Sequence, residues 1–127
     1  MKNTARILVG ACLFLAFIGG VVMAQDVDEK PAYLVIQFNV KDERLAEFTD
    51  IMLGVKQAMT TEAGFEDAYV LNGLDAPNPF ILIERWHSKE LHLEHFDRIV
   101  ASGDWKNIRG MLSSAPVMQY TTMLPVQ

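Results

Sequence analysis

Four short segments of the chain alternate apolar with polar or smaller side chains, which is the pattern of β-strands. They are AYLVIQFNV at 32–40, FEDAYVLNG at 65–73, FILIERW at 80–86 and VMQYTTML at 117–124. In the first segment Gln37 and Asn39 share one face, and Ile36 and Phe38 share the other. The first and third segments carry apolar residues on both faces, so both sides of their sheet need a cover.

Between these strands, apolar residues recur at the three- and four-residue spacing of helices. One helix is predicted after Asp42, a candidate N-cap, and before Gly64; its apolar side is Leu45, Phe48, Met52, Val55 and Met59. A second is predicted between Ser88, which can cap it, and Gly103; its apolar stripe is Leu93, Phe96, Ile99 and Val100. Asp104 can start a further helical piece.

The order βαββαβ predicts an α+β, ferredoxin-like fold: an antiparallel sheet with both helices on one face. Helices cover only that face, and the other face is also apolar. A second copy of the chain is the simplest cover, and two-fold dimers are the commonest oligomers. The pattern therefore predicts a homodimer.

The N-terminal region has the features of a secretory signal. MKNTAR is a short basic head, and the uncharged run ILVGACLFLAFIGGVVMA ends in small residues. We interpret 1–24 as a signal peptide cut after Ala24, 25–31 as a polar tether and 32–127 as the domain. The mature protein is then periplasmic or secreted. Two alternatives are a retained membrane anchor and a lipoprotein site at Cys12.

Composition excludes several classes of function. Cys12 is the only cysteine, so the mature domain has no thiol nucleophile, thiolate metal site or iron–sulfur cluster. Loss of Lys2 and Arg6 with the signal takes the formal charge from −5 to −7. An acidic domain without a basic stripe is a poor partner for nucleic acid. We expect no nucleic-acid partner, and no membrane association after signal cleavage.

The stretch ERWHSKELHLEHF, at 84–96, concentrates the candidate chemistry, including all three histidines of the chain. Glu84 and Trp86 share one strand face. His92 lies within the apolar stripe of the following helix, and His95 lies at its border. Trp86 either lines a cleft or fills the core beside the helix. His95 either acts as a base or caps a structural contact. His92 needs a partner if it is buried.

Other kinds of site find little support. His92 and His95, with Glu84 or Asp97, could share a metal ion, but no further ligand is placed to converge on them. No serine stands in a nucleophile-elbow context, and no glycine-rich phosphate loop or dinucleotide fingerprint is present. We predict no metal and no nucleotide cofactor.

The residues above also support a resemblance to a known family. Glu84-x-Trp86, the histidine nine positions later at His95, EAGF around Gly64, and the turn DAPNP before FILIERW carry it. Over 32–126 the chain resembles the antibiotic biosynthesis monooxygenase (ABM) superfamily, in particular its quinol monooxygenase-like single-domain members.

The resemblance implies a dimeric α+β barrel and a reaction of O2 with a small electron-rich aromatic, quinol or phenolic, without flavin, haem or metal. Trp86 would line the pocket and stack on the substrate, and His95 would accept a phenolic proton. Glu84 would orient a polar partner, although an ion pair with an arginine is its more ordinary use. Gln37, Asn39 and His92 are further substrate-binding candidates.

Two alternatives to this function stay open. A haem-degrading relative uses a Trp and a His at this spacing, which Trp86 and His95 match, with an Asn on the first strand, where Asn39 lies late. Alternatively, the domain binds an apolar ligand without catalysis. FDRIVASGDW, after His95, is longer than the corresponding step of the quinol members and lacks their second histidine, so the far wall of the pocket differs.

Overall fold

The structure, a computed structural model, describes residues 30–127. The predicted signal peptide (1–24) and residues 25–29 of the predicted tether (25–31) lie outside the described residues. The elements, in order, are β1 (Ala32–Asn39), a short 3-10 helix (Asp42–Arg44), α1 (Leu45–Met59), β2 (Phe65–Asn72), β3 (Pro79–Trp86), α2 (Lys89–Ser102), α3 (Asp104–Gly110) and β4 (Val117–Thr121).

The strands form one sheet in the order β2-β3-β1-β4, and every neighbouring pair is antiparallel. This arrangement confirms the predicted α+β ferredoxin-like fold. β4 ends at Thr121, three residues before the predicted end. Pro79 occupies the first position of β3, where a missing backbone N–H is tolerated.

The core lies between the inner face of the sheet and the helices. Phe48 of α1 is completely buried and meets Phe38 and Phe80 edge-on, at centroid distances of 5.2 and 5.1 Å. Such contacts add to the stability from burial alone. β1 contributes Leu34, Ile36 and Phe38 to this face. The predicted division of β1 between its two faces is therefore confirmed.

The outer face of the sheet, away from the helices, carries a second apolar surface. We call this surface the outer patch; its members are Val35, Tyr69, Leu71, Ile81, Ile83 and Val117. In the strand register Ile83 lies between Tyr69 and Val35, Leu71 lies beside Ile81, and Gln37 separates Ile81 from Val117. Tyr69, Leu71 and Val117 are 56%, 52% and 59% exposed. The prediction of a sheet apolar on both sides is confirmed.

The helix ends follow the sequence signals in part. Ser88 caps α2, because its side chain accepts a hydrogen bond from the Leu91 N–H. Gly103 ends α2 with a left-handed φ of 91°. The predicted cap at Asp42 is wrong: its carboxylate accepts a bond from Asn78 Nδ2 at 2.7 Å, and α1 has no side-chain cap.

The buried face of α2 differs from the predicted stripe. Leu93 and Val100 are 40% and 49% exposed, whereas His92 and His95 are only 2% and 7% exposed. The helix thus turns its two histidines towards the sheet, and His95 is buried instead of lying at a border. Within residues 30–127, no helix is long and apolar enough to cross a membrane.

Candidate functional site

A cavity of about 720 Å³ lies between the inner face of the sheet and the helices. This volume is within the range of about 300–1,000 Å³ that is typical of small-molecule sites. Its wall is mainly apolar, with contributions from β1, β3, β4 and all three α-helices. Four methionines belong to it: Met52, Met59, Met111 and Met118.

Three buried polar side chains line one end of the cavity: Glu84, His92 and His95. Strand alternation places Glu84 on the inner face of β3, opposite Leu34 of β1. His92 and His95 stand three residues apart on α2 and so share the helix face turned to the sheet. We call this group the polar end.

Glu84 is 4% exposed and accepts a hydrogen bond from Trp86 Nε1 at 2.8 Å. Burial raises the pKa of Glu84 to about 7, and the bond from Trp86 opposes this rise. The arginine partner suggested by the sequence is absent from the described residues: Arg85 points the other way and pairs with Glu66. Glu84 therefore changes charge near neutral pH.

His92 connects Glu84 to β4. Its Nδ1 lies 2.5 Å from the Tyr120 hydroxyl, and its Nε2 lies 3.7 Å from Glu84 Oε2. Burial, with a smaller effect of His95, lowers the pKa of His92 to about 4. Burial, and to a lesser degree Glu84 and Glu90, raises the pKa of Tyr120. A neutral His92 can therefore accept a hydrogen bond from the Tyr120 hydroxyl at Nδ1 and turn Nε2–H to Glu84.

His95 lies beside a third carboxylate, Glu62, in the loop between α1 and β2. His95 Nδ1 is 3.4 Å from Glu62 Oε2, but it is buried and makes no hydrogen bond in this geometry. Arg98, one turn further along α2, donates to the same Glu62 oxygen. The bond from Arg98 is the main reason that the pKa of Glu62 is lowered; burial opposes it.

Trp86 is completely buried and is not part of the cavity wall. Its ring packs edge-on to Phe65 and His92 and tilted against His95, at centroid distances of 5.5, 5.3 and 5.2 Å. Of the two alternatives for Trp86, the structure shows the core position, and the place on the pocket wall that the resemblance implies is not observed. Trp86 fills the core behind the polar end and supports both histidine rings.

Gln37 and Asn39 do not join this group. Both are exposed on the outer face of the sheet, because alternation along β1 turns Ile36 and Phe38 to the cavity instead. Asn39 Nδ2 donates to Ser114 Oγ. They therefore do not line this cavity, and the strand asparagine of the haem-degrading relative has no counterpart at Asn39 there.

Two polar partners of the histidines, Glu62 and Tyr120, were not among the predicted site residues. Glu62 belongs to the EAGF segment, and Tyr120 lies on the inner face of the last strand, so each had a weak signal. Their contacts span 33 and 28 residues and depend on tertiary structure. Within residues 30–127, no three His, Cys, Asp or Glu side chains are grouped so that they could hold a metal ion.

One protein-family model matches more than half of the chain. It is described as antibiotic biosynthesis monooxygenase and matches residues 31–109, which include all of the polar end. No curated protein matches the chain significantly.

Several solved structures share the fold at low identity. A conserved protein from Methanosarcina mazei Go1 is 17% identical, with a TM-score of 0.65, over 73% of this chain and 92% of that one. SnoaB, a cofactor-independent oxygenase from Streptomyces nogalater, is 15% identical, with a TM-score of 0.66, over 76% and 96%. Rv0793 from Mycobacterium tuberculosis is 13% identical, with a TM-score of 0.66, over 76% and 98%.

Proposed function

Because the chain belongs to the antibiotic biosynthesis monooxygenase family, we propose that it is a cofactor-independent monooxygenase for a small electron-rich aromatic, quinol or phenolic, with O2 as the second substrate. The observation that carries the proposal is the pairing of an apolar cavity with one buried polar end, formed by Glu84, His92 and His95. SnoaB, a cofactor-independent oxygenase of the same fold, supports this reaction class.

The chemistry needs a base in a dry cavity. His95 takes the proton of a substrate hydroxyl: the O–H bond breaks and an N–H bond forms. The resulting anion is electron-rich and reduces O2 itself, so that one oxygen atom enters the product and the other leaves as water. The substrate supplies all four electrons. The apolar wall excludes water from the anion during this step.

The rest of the polar end orients the substrate. Glu84 and His92 offer a carboxyl group and an imidazole to a second oxygen on the ring, such as the other hydroxyl of a quinol. Trp86 holds both histidine rings from behind and donates to Glu84, which fixes the carboxyl group. The substrate thus meets buried hydrogen-bonding groups at the polar end and a mainly apolar wall elsewhere, although Arg44, Glu47, Asp104, Lys106 and Asn107 also line the cavity.

We also propose that the active form is an exported homodimer beginning at Gln25, with the outer patch buried between its two copies. Three facts support the dimer: six apolar side chains share the outer face, three of them (Tyr69, Leu71 and Val117) are more than half exposed, and two-fold assemblies are frequent. Export is supported by the sequence of 1–24 alone.

The decisive experiment follows O2 consumption by the mature protein with a panel of hydroquinones. We expect His95→Ala to slow turnover by about a hundredfold, because a positioned base contributes this much. His87→Ala is the matched control, since His87 is an exposed histidine outside the cavity. Equal rates for the wild type and His95→Ala would overturn the role of His95.

The same assay separates the alternative functions. A binding domain without catalysis would consume no O2 with any hydroquinone, yet would bind them in a thermal-shift assay. A haem-degrading protein would shift and sharpen the Soret band of haem on titration. The outward position of Asn39 favours the quinol reaction over the haem reaction.

A further inference from the structure

We propose that Glu62, held by Arg98, is a positioning residue that fixes the tautomer of His95 and so presents its Nε2 to the substrate. This inference rests on the base role proposed for His95. It assigns a function to a residue outside the 84–96 segment.

The distances join the three residues through one oxygen atom. Glu62 Oε2 lies 3.4 Å from His95 Nδ1 and accepts a bond from the Arg98 guanidinium. Nδ1 is buried and has no other partner among the described residues, so a small movement of either side chain completes its bond. The partner of one imidazole nitrogen decides which nitrogen carries the proton. A carboxylate at Nδ1 selects Nδ1–H and leaves the Nε2 lone pair free to act as a base.

Charge supports the same assignment. Arg98 is the main cause of the lowered pKa of Glu62, so the carboxylate remains ionised over the neutral range. When Nε2 accepts the substrate proton, the ring becomes an imidazolium, and its positive charge then faces Glu62. The other rings against His95 belong to Trp86 and His92, at 5.2 and 6.1 Å, and neither carries a formal negative charge.

The loop that carries Glu62 is fixed against α2. The Gly64 carbonyl accepts a bond from the His87 N–H at 2.8 Å, and Gly64 has a φ of 80°. A Cβ at Gly64 would collide with the Leu91 side chain, at 2.9 Å from its Cβ, so the backbone approaches the helix as closely as a glycine allows. The loop therefore holds Glu62 in a defined position beside His95.

Two readouts test the proposal on the full mature protein: the ring ¹⁵N shifts of His95 by NMR, and steady-state kinetics with hydroquinones. In the wild type we expect a protonated Nδ1 and an unprotonated Nε2. In Glu62→Ala we expect protonation to move towards Nε2. We also expect kcat to fall by about tenfold to a hundredfold, as for loss of other groups that orient a functional histidine, with KM nearly unchanged.

Two further variants sharpen the comparison. Glu62→Gln keeps the volume and an acceptor oxygen, so the tautomer and part of the rate should survive. Glu66→Ala is the matched control: Glu66 also meets an arginine, Arg85, and a histidine, His87, but outside the cavity. It should change neither readout.

Unchanged His95 ring shifts in Glu62→Ala would overturn the inference. The NMR result does not depend on turnover. If the wild type oxidises no hydroquinone, the proposed function fails, and the tautomer still decides whether Glu62 positions His95.

Discussion

At the scale of single residues, the polar end places two titratable groups of opposite kind side by side. The pKa of Glu84 is raised from 4.5 to about 7, and that of His92 is lowered from 6.5 to about 4, in both cases mainly by burial. Between pH 4.5 and 6.5 both groups are therefore largely neutral in the folded protein, whereas the unfolded chain charges both. The neutral pair lets two ionisable groups occupy an apolar cavity.

This arrangement predicts opposite pH dependences for two variants. The stabilising contribution of Glu84 is full below pH 4.5 and is lost as pH rises through 7; that of His92 is full above pH 6.5 and is lost as pH falls through 4. Between pH 4.5 and 6.5 one contribution falls with pH while the other rises, so their pH dependences cancel in the wild type. Glu84→Gln should remove the contribution of Glu84 and keep that of His92, and His92→Leu should do the reverse.

Chemical unfolding of both variants across this pH window provides the measurement. The free energy of unfolding of the wild type minus that of Glu84→Gln should fall with pH, by at most about 1.4 kcal/mol per pH unit. The corresponding difference for His92→Leu should rise at a similar rate. If either difference does not change with pH, or if both change in the same direction, the pKa assignments are contradicted.

The sequence was sufficient to select Glu84, His92 and His95 but not to assign their partners. A buried histidine in an apolar stripe needs a bonding group, and this need was evident from the spacing of α2. Tyr120, from another strand, bonds His92, and Glu62, from a loop, lies beside His95. Spacing along the sequence does not show which distant residues meet in the fold. For the same reason the sequence leaves open whether Trp86 lines the cavity or fills the core, although its strand face is predicted correctly.

At the scale of elements, the strands followed their pattern more closely than the helices did. Alternation in β1 and β3 fixed which residues face the core, because a strand has only two faces. A helix can rotate, and α2 rotates to bury His92 and His95 at the expense of Leu93 and Val100. The hydrogen bond between His92 and Tyr120, and ring contacts with Trp86, stabilise this orientation in place of aliphatic packing.

The contact between the α1–β2 loop and α2 gives a prediction at this scale. Gly64→Ala should lower the free energy of unfolding by at least about 1 kcal/mol, because an alanine resists the left-handed φ and its Cβ would lie 2.9 Å from Leu91 Cβ. Thermal and urea unfolding followed by tryptophan fluorescence measures the change.

Gly54→Ala is the control for this prediction, because Gly54 lies within α1 and a Cβ there would meet nothing within 4 Å. That alanine should raise the free energy of unfolding by up to about 1 kcal/mol, because alanine is the better helix former. A Gly64→Ala protein as stable as the wild type would show that the loop is not held tightly against α2.

At the scale of the whole molecule, the outer patch predicts assembly. Ile83→Glu places a charge at the centre of that surface, between Tyr69 and Val35 in the register, and should convert a dimer into monomers. Light scattering at micromolar concentration measures the mass, and circular dichroism checks the fold. Gln57→Glu, on the exposed side of α1, is the control for added charge and should stay dimeric. A wild-type protein that is monomeric under these conditions would contradict the proposed dimer.

The four methionines of the cavity wall have a consequence for selectivity. Methionine side chains are unbranched and adjust to irregular shapes, unlike valine or isoleucine. Met52, Met59, Met111 and Met118 come from α1, from the end of α3 and from β4, so compliant side chains lie on several sides of the space. A wall of this kind discriminates weakly between ligands of similar size and different shape. Recognition then depends on where a ligand carries its oxygen atoms, and ligands of different skeletons that present the same pair of hydroxyls become competitors for one site.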